Sequence, residues 1–191
     1  MKSVLDLWLI RHAESLGNLD GTDADTSLSA RGRLQAGALA EALVGQTFDR
    51  ILSSPLLRAR ETAMIALPGQ AIETETRLLE LVARRDQFID ISMLTLSQLD
   101  ALARPAPDEP PVETGREFMA RVRAWLAELP AAGRMVAFTH AGVVREALWA
   151  LMPGSARVQV IGHAAITRVC VEAEANRIVV LNDSRHVDVT P

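Results

Sequence analysis

Val4-Leu5-Asp6-Leu7-Trp8-Leu9-Ile10, closed by Arg11-His12-Ala13-Glu14-Ser15, decides how the rest of the chain reads. The apolar run predicts a buried strand. A basic pair at the carboxyl end of such a strand stands where an open α/β sheet binds an anion. The arrangement recurs in the second half of the chain. Met135-Val136-Ala137-Phe138-Thr139 is another apolar strand, and it ends in His140-Ala141-Gly142, directly before a helical pattern. Two strand-end histidines, each beside a loop-to-helix transition, predict one site assembled from both halves.

Working outward, strands and helices alternate. Ser29 is positioned to cap a helix whose apolar residues Ala36, Leu39, Ala40 and Leu43 follow the helical period. Asp49 to Ser53 reads as a short strand. Ser54 and Pro55 read as a cap and first helical residue of a helix running to about Leu67, which Pro68-Gly69 ends. Ala71 to Thr76 alternates as a strand does. Glu80 to Met93 has no clear period, Thr95 to Ala103 reads as a helix, and the four prolines between Arg104 and Pro111 predict a loop. Glu113 to Leu129 is an amphipathic helix with Phe118, Val122, Trp125, Leu126 and Leu129 on one face. A helix from Gly142 to about Met152 follows His140, and Ala165 to Glu172 with Arg177 to Leu181 form a hairpin. This order predicts an α/β layered sheet with helices on both faces.

At 191 residues, the chain is most simply one domain, residues 1–191, with enough length for a sizeable core. A net charge of −4 offers no general attraction for nucleic acid or an anionic membrane, so any anion site is local. Lys2 is the only lysine among 20 cationic side chains. Arginine suits phosphate through its planar fork and permanent charge, but so many arginines also imply ordinary surface pairs. Cys170 stands alone in an apolar run and reads as a small packed hydrophobe. Asp6 interrupts the amino-terminal apolar run and no small-residue cleavage site follows, which argues against a signal peptide; no apolar stretch is long enough to span a bilayer. Cytoplasm is the default location. No histidine or carboxylate cluster has metal-ligand spacing and no glycine-rich dinucleotide loop follows a strand, so neither metal nor cofactor is expected.

Five segments, in order, carry a family resemblance. Arg11-His12-Ala13-Glu14-Ser15 with Asn18 resembles the Arg-His-Gly-Glu-(Thr/Ser)-x-x-Asn signature of the histidine phosphatase superfamily, the phosphoglycerate-mutase-like enzymes. Leu28 to Ala36 resembles the helix start that follows it. Ser53 to Ala63, containing Arg58-Ala59 and Thr62-Ala63, resembles the Ser-x-x-x-Arg-Ala-x-x-Thr-Ala segment. Glu80 stands where the family carries its acid, and Thr139 to Arg145 where it carries its second histidine. The resemblance implies a three-layer α/β/α sandwich with a mostly parallel central sheet and a pocket at the strands' carboxyl ends.

It also implies roles. His12 is the candidate nucleophile: a neutral imidazole attacks phosphorus to form a phosphohistidine, with one ring nitrogen free and the other held as a donor. Read from spacing alone, it is sooner a satisfied strand-end histidine. Arg11, Arg58 and His140 are the candidate phosphate ligands, meeting the charge spread over the transferring group's equatorial oxygens. Ala141 and Gly142 would add backbone donors at a helix start. Without the resemblance, Arg58 is a surface arginine pairing with Glu61 or Glu14. Glu80 is the candidate general acid, protonating the leaving oxygen and later taking a proton from water. Asn18, Ser15 and Ala141 are candidate substrate contacts, with loop capping the alternative for Ser15. His163 and His186 read as structural. The family's glycine and Trp-Glu-Gly after its acid are replaced here by Leu81-Val82-Ala83-Arg84-Arg85-Asp86, which leaves Arg84 and Arg85 either as selectors of a substrate carboxylate or second phosphate or as a solvated pair near Asp86.

The expected activity is a metal-independent phosphomonoesterase acting through a phosphohistidine on a small phosphorylated metabolite. The alternatives are a cofactor-dependent phosphoglycerate mutase, a phosphohistidine protein phosphatase, and a silent phosphate-binding module.

Overall fold

Side chains along the first strand leave in two directions and reach two separate cores. A computed structural model describes residues 3–20, 25–84, 87–88, 113–153 and 160–187. In β1 (Val4–Arg11), Leu5, Leu7 and Leu9 enter one apolar cluster, while Trp8 and Ile10 enter another. A strand buried on both faces reads as a continuous apolar run, not as an alternation. The same division splits Met135 and Ala137 from Val136 and Phe138 in β6 (Gly133–Thr139), and Leu52 from Ile51 in β2 (Arg50–Ser53).

Helices cover the two faces. α2 (Ala30–Ala42) and α3 (Leu57–Ala66) supply Ala36, Leu39, Ala63 and Ala66 to the Trp8 side. On the Leu7 side are α4 (Gly115–Ala127), with Phe118, Val122 and Trp125, and α5 (Ala141–Leu151), with Val143, Val144, Ala147 and Leu148. The result is the expected three-layer sandwich. A short α1 (Leu16–Asp20) follows β1. The sheet is completed by β3 (Glu73–Thr74), β7 (Ile166–Glu172) and β8 (Arg177–Asp183), in the order β3-β2-β6-β1-β7-β8. β3, β2, β6 and β1 are mutually parallel; β7 is antiparallel to β1, and β8 to β7. β4 (Val82–Arg84) and β5 (Gln87–Phe88) form a separate two-stranded piece.

Register brings the strand ends together. Arg11 pairs with Thr139, and Ser53 with Phe138. Past the ladder's end, His12 N–H donates to the Thr139 carbonyl at 2.8 Å and Ser54 N–H to the Phe138 carbonyl at 2.9 Å. Residues 12, 54 and 140 therefore leave the sheet side by side.

Several boundaries differ from expectation. α3 opens at Leu57, and its N-cap residue Leu56 makes no side-chain cap bond. Asp25 supplies the cap from a distant loop, its Oδ1 accepting from Leu57 N–H at 2.7 Å. Ser54 Oγ keeps a long bond from Leu56 N–H, at 3.4 Å, and also reaches another partner. Of Ala71 to Thr76, only Glu73 and Thr74 pair as strand, because the chain then tightens into a 3₁₀ turn over Thr76–Leu78. Ser29 caps α2 as expected, accepting from Gly32 N–H at 2.9 Å. Thr114 and Glu117 form a reciprocal capping box at α4. Cys170 is buried, as expected. The predicted helix over Thr95–Ala103 and the proline-rich loop over Arg104–Pro111 lie outside the described residues.

Candidate active site

His12 is 3 % exposed at the end of β1, and its ring has a defined orientation. Nδ1 lies 2.7 Å from the Ala13 carbonyl, which can only accept, so Nδ1 carries the proton. Nε2 is then the lone-pair nitrogen. It accepts from Arg58 Nε at 3.3 Å. The Ala13 carbonyl is fixed in turn, because Ala13 N–H donates to Thr62 Oγ1 on α3 at 3.0 Å. Thr62 Oγ1 itself donates to the Arg58 carbonyl at 2.7 Å. One α3 turn thus sets both the histidine's tautomer and the position of the arginine facing it.

Arg58 is buried and also approaches Asp25, 3.7 Å from Nη1. Its expected surface partners are engaged elsewhere. Glu61 accepts from Leu28 N–H at 2.8 Å. Glu14 receives the Ser29 hydroxyl at 2.7 Å and fastens the His12 loop to the start of α2. Arg11 is buried as well, and part of its guanidinium is committed to the Ile161 carbonyl.

His140 is the N-cap residue of α5 and is fully buried. Its Nε2 meets Ser54 Oγ at 2.8 Å, the hydroxyl that does not cap α3. Its Nδ1 is buried with no hydrogen-bond partner among the described residues. The His12 and His140 rings lie 5.1 Å apart, centroid to centroid. Burial is the first cause that pushes the His12 pKa well below 6.5, followed by His140, Arg11, Arg58 and His163. Burial, then Arg58, Arg11 and Arg121, push His140 well below 6.5 too. Both imidazoles are therefore neutral at pH 7, the state a nucleophile requires.

Glu80 is 4 % exposed. Its Oε1 accepts from Leu81 N–H and its Oε2 from Gly142 N–H, both at 3.1 Å. The structure thus brings Glu80 to the start of α5, beside His140. It also gives the Gly142 donor, expected to face an anion, to this carboxylate. The chain entering Glu80 is held from two sides. Arg121 Nη1 donates to the Arg77 and Leu79 carbonyls at 2.7 and 3.0 Å, and Thr139 Oγ1 to the Leu78 carbonyl at 2.8 Å.

Ser15 and Asn18 meet each other. Asn18 Oδ1 accepts from Ser15 N–H at 3.0 Å and from Ser15 Oγ at 2.9 Å, ordering the turn into α1. Ala141 is buried as the first residue of α5. Arg84 ends β4, while Arg85 lies outside the described residues.

His163, read from the sequence as structural, lies beside the nucleophile candidate. Its ring packs against His12 with centroids 5.7 Å apart. His186 remains behind the loop, its Nε2 bonded to the Ala164 carbonyl at 3.1 Å. Among the described residues, no group of three or more His, Cys, Asp or Glu side chains can hold a metal ion, and no helix is long and apolar enough to cross a membrane.

A buried imidazole with its far nitrogen facing an arginine, a second imidazole beside it and a carboxylate at the next helix start define a class. The chain belongs to the histidine phosphatase superfamily (branch 1), whose family model matches residues 7–184. Among curated relatives, it is 43% identical over 72 residues to the adenosylcobalamin/α-ribazole phosphatase of Escherichia coli (strain K12), a match spanning 36% of each chain. The α-ribazole phosphatase of Shigella flexneri has a similar structure, with TM-score 0.75 and 26% identity over 94% of this chain and 96% of that one. The phosphoglycerate mutase of Bacillus anthracis str. Sterne shares the fold with TM-score 0.84 at 18% identity, covering 98% of this chain and 96% of that one.

Proposed function

We propose that this protein is a phosphomonoesterase that works through a phosphohistidine on His12 and acts on a small phosphorylated metabolite in the cytoplasm. The observation that carries the reading is the orientation of His12. With Nδ1 held on the Ala13 carbonyl, Nε2 presents its lone pair toward Arg58 in a pocket that keeps the ring neutral. Nε2 attacks phosphorus in line with the leaving oxygen. Arg11, Arg58 and His140, the last through Nδ1, receive the equatorial oxygens whose charge grows in the transition state. Glu80 gives its proton to the leaving oxygen and takes one from water when the phosphohistidine is hydrolysed. Ser15 and Asn18 hold the loop beside the nucleophile, and Ala141 lines the pocket at α5. The α-ribazole phosphatases to which the chain is similar support a metabolite-sized ester as substrate.

Rapid acid-free quenching of turnover on a ³²P-labelled ester tests the proposal. The expected product is acid-labile, alkali-stable label on His12, absent from His12→Ala together with steady-state activity. Full activity in His12→Ala rules the reading out.

A further inference from the structure

Resting on that reading, we propose that His163 is a third imidazole of the phosphoryl site, donating a hydrogen bond to a non-bridging oxygen of the transferred group. Topology delivers it there. β7 runs against β1, so its first residue, Ile166, pairs with Ile10 at the end of β1. The loop entering β7 must then pass beside His12. It is stitched to the Arg11-His12 pair at three points. Ala164 N–H donates to the His12 carbonyl at 3.2 Å, Arg11 N–H donates to the Ala165 carbonyl at 3.3 Å, and the Arg11 guanidinium donates to the Ile161 carbonyl. Behind it, Asn182 Oδ1 accepts from Gly162 N–H at 2.7 Å, and His186 bonds the Ala164 carbonyl. Ala164 takes a left-handed φ of 54°, a conformation that costs free energy and persists only where surrounding contacts enforce it.

The geometry selects which oxygen His163 meets. In-line displacement places the leaving oxygen beyond phosphorus, opposite His12 Nε2, and the three equatorial oxygens around that axis. A ring packed against His12 lies beside the axis, not at its far end. His163 is half-buried while His12 and His140 are buried, so it closes the flank toward solvent. Its contact is therefore with the group common to all substrates, and the effect of losing it is independent of the leaving group. That separates it from Glu80, whose loss weighs on poor leaving groups.

Two substitutions divide chemistry from packing. His163→Phe keeps a ring against His12 and removes the donor; His163→Asn keeps a donor and removes the ring. Competitive inhibition by orthovanadate and kcat/KM for p-nitrophenyl phosphate and for an alkyl phosphate are the measurements. His163→Phe is expected to weaken vanadate inhibition about 10- to 100-fold, the range for a hydrogen bond to a charged group. It is expected to lower kcat/KM by one common factor on both esters, and His163→Asn to restore most of the loss. Vanadate inhibition within twofold of the parent protein in His163→Phe overturns the assignment, as does a loss confined to the alkyl ester. A parent protein that forms phosphohistidine yet shows no difference from His163→Phe refutes His163 alone. Absence of phosphohistidine and of vanadate binding in the parent refutes the phosphatase reading with it.

Discussion

A Cβ on Gly32 would stand 1.9 Å from the Glu14 carbonyl oxygen, a backbone atom with no room to yield. That contact joins α2 to the loop after His12, along with Ser29 N–H on the Glu14 carbonyl at 3.0 Å and Glu14 N–H on Gln35 Oε1 at 2.8 Å. Gly32→Ala is expected to cost about 3 kcal/mol or more, since overpacking against backbone cannot relax by rotamer change. Urea titration with intrinsic fluorescence measures it; a loss below 1 kcal/mol would contradict the close packing. Glu80→Gln is expected to slow alkyl phosphate hydrolysis by about 10²- to 10⁴-fold. Phosphoenzyme formation from an activated aryl phosphate should be largely spared, because a phenolate leaves without help. Equal small losses on both esters would move the acid elsewhere. At this scale, the sequence displayed what lies next to a strand end: His12, Arg11 and His140 follow apolar runs directly. It hid His163 because that residue's place depends on how β7 pairs with β1, a register no local pattern encodes. It hid the Ser54–His140 bond for a related reason. Ser54-Pro55 is a sound local signal for a helix start, and tertiary structure overrode it by bringing Asp25 to the cap.

At the scale of elements, α4 bears on Glu80 through the backbone that leads into it. Arg121 is paired through Nε and Nη2 with both oxygens of Glu113, each at 2.6 Å, and through Nη1 with the carbonyls of residues 77 and 79. One guanidinium thus fixes the segment that aims Glu80. Arg121→Ala is expected to lower kcat for alkyl phosphates about tenfold and to add little in a Glu80→Gln background, since residues acting through one group are not additive. Full additivity in the double-mutant cycle would detach Arg121 from the acid. The alternation of strands with helices was legible because parallel strands covered on both sides must be apolar throughout. The β3 segment was over-read as a longer strand: its alternation continues to Thr76, but Glu75 turns its carboxylate to Arg77 N–H at 3.0 Å and starts the 3₁₀ turn.

For the molecule as a whole, two buried neutral histidines couple stability to pH. Both pKa values lie lower in the folded state than the ordinary 6.5. Below about pH 6.5, the unfolded chain therefore binds more protons than the folded one, and stability falls as pH drops toward the lowered folded values. Carboxylates such as Asp183, brought to about 2 by its hydrogen bond with Arg185, act only in a separate and more acid window. Melting temperatures between pH 7.5 and 5.5 should decline in the parent protein and decline less in His12→Ala; parallel slopes would mean that His12 is not the group being charged. The same pocket has a calorimetric signature. Arg11 and Arg58 help hold the imidazoles neutral, and a dianion seated among them offsets their charge. Ligand binding near pH 6 then draws protons from solution. The apparent binding heat of sulfate, an anion that does not itself titrate there, should vary linearly with the ionisation enthalpy of the buffer, with a slope equal to the protons taken up. A slope of zero would mean that the empty and filled pockets bind the same number of protons.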